Sequence, residues 1–178
     1  MILLVCLGSS AYSARSTPTT QTGGRRRKTY YIRPSLSDPF FAEETERIIR
    51  NNQIWKRKGF RLSRVGQAQE ADFTIELAPR KRLNKYHREK EYYPDGREIR
   101  FSMTIDGRTI YIDETNWTKG VAESRLALAE YRRYVILHEV GHALGYNHVP
   151  CKKAVKCPVM YQMTRGPPKG HKGVEWAI

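Results

Sequence analysis

His138, Glu139 and His142 stand in the register His-Glu-x-x-His, and Gly145 and His148 follow three and six residues after the second histidine. On a helix, His138 and His142 fall about 40° apart in azimuth and one turn apart in height, so both imidazoles can reach a single ion. Glu139 then sits beside the first ligand, placed to take a proton from a water activated there without binding the ion itself. A continuing helix would carry His148 to the wrong side. Gly145 resolves this, because glycine readily takes the left-handed conformation that ends a helix and turns the chain back, bringing His148 under the same ion. Three neutral imidazoles suit Zn²⁺ better than Ca²⁺ or Mg²⁺, which prefer oxygen ligands. Three protein ligands also leave a fourth position open, the arrangement of a catalytic rather than a structural site. The predicted chemistry is hydrolysis. One zinc ion lowers the pKa of a water towards about 7 and polarises a carbonyl, while Glu139 passes the proton on to the leaving group.

A helix must hold the first two histidines. The sequence predicts a long one over residues 121–144, with Leu126, Ala129, Arg133, Leu137, Val140 and Leu144 three or four positions apart. Upstream, residues 29–33 read as a strand stopped by Pro34. A helix follows, capped by Asp38, with Pro39 at its first position and Glu43 and Glu44 near the positive end of its dipole. Phe41, Ile48, Ile49 and Trp55 share one side of it until residues 56–59 end it. Residues 60–65 and 71–77 read as strands, the second alternating Phe73, Ile75 and Leu77 with Asp72, Thr74 and Glu76. Residues 79–97 are basic and without periodicity, which predicts a surface loop. Ile99, Phe101, Met103 and Ile105 alternate with Arg100, Ser102 and Thr104, Asp106-Gly107 supplies a two-residue turn, and residues 108–112 return as a hairpin. Nothing after Gly145 looks regular. This order predicts an α+β domain, a mixed sheet flanked by two helices.

Across residues 138–148 the chain resembles the metzincin clan of zinc endopeptidases, whose extended motif is matched in full. Cys157-Pro158-Val159-Met160-Tyr161 resembles the clan's Met-turn, with Met160 as the turn methionine. The nearest likeness is to small, largely uncharacterised metallopeptidases of actinobacterial type. In these a helix start like Tyr131-Arg132-Arg133-Tyr134-Val135 leads into the motif, and a pair like Pro150-Cys151 follows it. Archaemetzincins are a second relative, because they too place two cysteines between the third histidine and the Met-turn. Their second zinc uses further cysteines downstream, and none follows Cys157, so one zinc is expected here. The resemblance implies a zincin fold, with a twisted sheet above a cleft, an edge strand that pairs with extended substrate, the ligand helix below, and an irregular C-terminal tail carrying the Met-turn. It further implies a protein or peptide substrate, Glu139 as general base, zinc on His138, His142 and His148, and support from Gly145 and Met160. Some members use a tyrosine two residues after the turn methionine. Here that position is Gln162, and the neighbouring Tyr161 is the candidate for an oxyanion or substrate contact.

Residues 1–14 carry no charged side chain and run from an apolar stretch into small residues, the outline of a secretory signal. A buried N-terminal strand of an intracellular protein is the other reading. Residues 15–28 are rich in Ser, Thr, Pro, Gly and Arg and predict a basic, solvated linker ending in Arg25, Arg26, Arg27 and Lys28. Residues 29–178 remain as a single catalytic domain, in keeping with roughly 150 residues per domain. Cys6 would leave with the signal. Cys151 and Cys157 would then close a small disulfide loop if exported, or stay as thiols or metal ligands in a reducing compartment. No apolar run approaches the roughly 20 residues of a membrane span, so no transmembrane anchor is expected. The 178 residues hold 32 Lys plus Arg against 18 Asp plus Glu, a formal charge of +14 at pH 7. That excess raises a polyanion- or nucleic-acid-associated protein as a competing function, but Lys58-Gly59-Phe60 opens an RNA-recognition signature that Arg61-Leu62-Ser63 does not continue. A zinc-binding module with weak or no catalysis is the other alternative. Beside the histidine motif, the charge reads as a field that favours acidic substrates or an anionic surface around a monomer, with nucleic acid not the primary partner.

Overall fold

Alternating apolar side chains build a five-stranded sheet from β1 (Arg26–Ile32), β2 (Phe60–Arg64), β3 (Phe73–Ala78), β4 (Met103–Ile105) and β5 (Thr109–Asp113). The computed structural model describes residues 26–87, 89–152, 156–171 and 173–176. The expected signal segment and the linker up to Arg25 lie outside the described residues. β1 starts at Arg26, three positions before the expected strand, because residues 26–28 pair with Phe60, Arg61 and Leu62 of β2.

The strand order is β2-β1-β3-β5-β4. The first four strands run parallel and β4 runs antiparallel to β5. Parallel neighbours need crossovers, and here α1 (Phe41–Arg50) and α2 (Ile54–Arg57) carry the chain from β1 to β2. A single helix was expected over this stretch. Asn52 divides it: its amide donates to the Ile49 carbonyl that ends α1, and its Oδ1 accepts from the Trp55 N–H at 3.0 Å as α2 begins. Asp38 and Pro39 lie in the turn before α1 rather than at its first positions. Asp38 Oδ1 accepts from the Phe40 N–H, and Oδ2 accepts from Trp117 Nε1.

Three further differences concern boundaries. The loop expected over residues 79–97 contains the short α3 (Arg80–Leu83), which buries Leu83. In the hairpin, Asp106 and Gly107 both take positive φ, 52° and 64°, as the turn requires. Ile105 nevertheless pairs with Thr109, so Arg108 is a third connecting residue. The long helix expected over residues 121–144 is two pieces, a single 3₁₀ turn (Ala122–Ser124) and α5 (Leu128–Ala143), and a separate helix, α4 (Glu114–Lys119), precedes them. Gly120 (φ 73°) and Arg125 (φ 57°) break the run.

α1 and α5 cover one face of the sheet. Phe41, Ile48 and Ile49 of α1 and Val135, Ile136 and Val140 of α5 join Tyr30, Ile32, Phe73, Ile75, Ile110 and Ile112 in one buried core. The tail after α5 is less irregular than expected. β6 (Cys157–Pro158) and β7 (Val174–Glu175) pair in parallel, and a Cys151–Cys157 disulfide closes the loop between His148 and β6. The fold is therefore α+β with a mixed sheet. No helix among the described residues is long and apolar enough to cross a membrane.

Candidate metal centre and its cleft

His138 and His142 project from the last two turns of α5 towards His148 beyond its end. Gly145 makes that possible. At φ 90° it donates to the His142 carbonyl, while the next N–H, of Tyr146, reaches the Gly141 carbonyl. These are the two bonds of a Schellman cap, which reverses the chain within three residues of His142. Tyr146 packs its ring 4.9 Å from Trp55 and 6.3 Å from Phe60, anchoring the reversed segment on the core.

The three imidazoles meet through Nε2. His138 and His148 stand 3.2 Å apart, His142 and His138 3.2 Å, and His142 and His148 3.0 Å. His138 Nδ1 lies 2.8 Å from the Val159 carbonyl, and His142 Nδ1 lies 2.8 Å from the Tyr146 carbonyl. A carbonyl only accepts, so in each neutral ring Nδ1 carries the proton and Nε2 presents a lone pair. Lone pairs facing one another at 3 Å repel unless a cation lies among them. The carbonyl partners are also the kind of second shell that fixes the tautomer of a ligating histidine. The cluster could hold a metal ion, with its members ranging from buried His138 to exposed His148. Burial holds the pKa of His138 down to about 3, and those of His142 and His148 are lowered for the same reason, so all three are neutral at physiological pH.

Glu139, next to His138 on α5, lines the same cleft of about 290 Å³ as the three histidines. It is 4% exposed, and Thr104 Oγ1 stands 2.8 Å from its Oε2 and 3.0 Å from its carbonyl oxygen. Without a cation nearby, burial pushes the carboxyl up to about 8, with the Thr104 hydrogen bond opposing. A cation among the histidines favours the ionised form. The walls of the cleft are Phe101 to Thr104 on one side and Tyr134, Val135, Gln162 and Thr164 on the other.

Met160 lies against α5. Its sulfur packs against the α-carbon of Gly141, and its carbonyl accepts from the Val149 N–H just after His148. The turn is tied to the helix by Tyr134, whose buried hydroxyl donates to the Tyr161 carbonyl and accepts from the Met163 N–H, each at 2.9 Å. Tyr161 itself does not line the cleft. Its hydroxyl donates to the Gly166 carbonyl at 3.1 Å. Cys151 and Cys157 are bonded to each other and lie outside the metal cluster.

A family described as "Protein of unknown function (DUF3152)" matches residues 32–169, which span β1 to the segment beyond the Met160 turn and include every residue named above at the site. The chain belongs to this family. Among curated proteins there is no match. Within the DUF3152 chain, Thr104 and Tyr134 are cleft positions whose contacts with the candidate site spacing alone does not disclose. Thr104 sits on the polar side of an alternating strand and reads as solvent-facing. In the fold that polar side faces α5, while Met103 and Ile105 pack on the opposite face with Ala78, Leu83 and Tyr111. The available signal was the run of two small hydroxyl residues, Ser102 and Thr104, on one face of an edge strand.

Proposed function

We propose that this chain is a zinc-dependent endopeptidase of the metzincin kind. The observation that carries the reading is the convergence of three imidazole Nε2 atoms 3.0–3.2 Å apart, in the same cleft as a buried glutamate and an edge strand. An all-imidazole donor set suits zinc and not the oxygen-preferring cations. For a triangle of these sides the centre lies about 1.8 Å from each nitrogen, close to the usual zinc–nitrogen distance of about 2.0–2.1 Å, so His138, His142 and His148 would hold the ion through Nε2.

When bound, zinc supplies Lewis-acid polarisation of the scissile carbonyl and brings the pKa of a water into the neutral range. Glu139 takes the proton of that water and delivers it to the leaving amine. Its burial keeps the captured proton from bulk solvent. The outer edge of β4 offers unpaired backbone groups to an extended peptide, which favours cleavage within a chain over trimming at an end. Tyr134, Val135, Gln162 and Thr164 would receive a substrate side chain beside the scissile bond. The disulfide between Cys151 and Cys157 supports an exported enzyme, since such bonds persist in oxidising compartments.

Peptide-library cleavage read by mass spectrometry tests this, with wild type and Glu139→Ala each loaded with zinc or treated with a chelator. The expected result is about one zinc per chain, with internal cleavage lost in the variant and on chelation. Hydrolysis that persists in Glu139→Ala would sink the mechanism.

A further inference from the structure

Glu139 is buried, yet among the described residues a single side chain, Thr104, hydrogen-bonds its carboxylate. We propose that Thr104 is a positioning residue that holds Oε2 of Glu139, so that Oε1 is the oxygen presented to the reacting proton. The inference rests on the peptidase reading.

The geometry is specific. A threonine hydroxyl has one proton to give, and its two acceptors here belong to the same residue: Oε2 at 2.8 Å and the carbonyl oxygen at 3.0 Å. Thr104 therefore grips Glu139 at both its backbone and its side chain. The grip is anchored, because Thr104 pairs with Ile110 of β5, and Ile110 is fully buried in the core. A glutamate has three side-chain torsions, and among the described residues no other hydrogen bond fixes the end of this one. Catalytic groups need placement to within a fraction of an ångström, so a base held only by its own helix would spend much of its time misdirected. Both Thr104 and Glu139 line the cleft, so the contact is made where the substrate lies.

The experiment compares Thr104→Val, which keeps the shape and removes the hydroxyl, with Thr104→Ser, which keeps the hydroxyl. Each is made in the full zinc-loaded chain. Losing a hydrogen bond to a charged group predicts a fall in kcat of about 10- to 100-fold for the valine variant, with KM changed less than about threefold. Serine should recover most of the loss, and zinc content should stay the same in all three proteins. A second readout needs no activity: melting temperatures of the chelated proteins in a double-mutant cycle of Thr104→Val with Glu139→Ala. Valine should cost less in the alanine background than in wild type. Unchanged kcat in Thr104→Val, a loss carried by KM or zinc content, or a serine variant no better than valine overturns the proposal. An active wild type with an additive cycle overturns it too. A wild type that cleaves no peptide removes the peptidase reading and the positioning role with it.

Discussion

The α-carbon of Gly141 rests directly on Met160: a Cβ built there would stand 2.4 Å from the methionine sulfur and 2.8 Å from the ring of Trp55. No side chain larger than hydrogen fits between the ligand helix and the turn beneath it. Met160 could shift, but Trp55 is fully buried and pinned by Tyr146. Gly141→Ala is therefore predicted to destabilise the protein by about 1–3 kcal/mol, the usual cost of overpacking a filled core. Urea denaturation checks this, with zinc titration reporting whether the helix is pushed off its third ligand.

Tyr134 is the polar tie between that helix and the turn. Tyr134→Phe keeps the ring and removes the two hydrogen bonds by which its hydroxyl holds the Tyr161 carbonyl and the Met163 N–H, which still bond each other at 2.9 Å. A loss of about 0.5–1.5 kcal/mol is expected, the usual net worth of a hydrogen bond whose backbone partners stay paired. Faster hydrogen exchange confined to residues 159–164 would locate the effect in the turn.

His148 is the exposed ligand and His138 the buried one. Replacing an exposed side chain changes stability little, so His148→Ala should melt with the chelated wild type to within about 0.5 kcal/mol. Its defect should appear only on adding zinc. Zinc at one hundred times its Kd stabilises the wild type by about 2.7 kcal/mol, and the variant should gain far less at the same concentration. Thermal shift across a zinc titration separates the two behaviours.

The pH dependence of the chelated protein follows from two groups with opposite signs. The folded-state pKa of Glu139, about 8, lies above its ordinary 4.5, so its contribution is full below about 4.5 and is lost as pH rises through 8. That of His138, about 3, lies below its ordinary 6.5, so its contribution is full above 6.5 and is lost as pH falls towards 3. Chelated wild type should thus lose stability between about pH 6.5 and 9, and Glu139→Gln should lack this alkaline loss while sharing the acidic one. Denaturant midpoints of the two proteins across that range decide it.

How much of this was readable beforehand differs from residue to residue. The histidine register and Gly145 were legible because helix geometry and left-handed glycine are local properties that spacing encodes. β3 and the hairpin were legible through alternation of period two. The break at Asn52 was not, because it depends on a side chain that bonds both the end of α1 and the start of α2. The start of α5 was misjudged because the apolar spacing runs on through a segment whose backbone Gly120 and Arg125 turn aside. Thr104 was hidden for a deeper reason. A polar strand face normally meets water, but here it meets the ligand helix, and only tertiary packing reveals that the cleft inverted the pattern.

The disposition of the ligands has a consequence for how the molecule comes together. His138, His142 and His148 lie within eleven consecutive residues, brought together by one helix end and its cap, with the carbonyls of Val159 and Met160 adding support from the following turn. The partner of Glu139 lies 35 positions upstream, on the edge strand β4. On the peptidase reading, the grip on the ion is assembled mostly from short-range contacts, which close quickly, whereas aiming the base needs a strand 35 positions away. A chain caught midway, or one with a loosened β4 edge, would hold its metal and yet lack an aimed base. Ion content would then be a poor proxy for a working enzyme, and the latch between strand and helix, rather than the histidines, would mark the moment at which proteolysis becomes available.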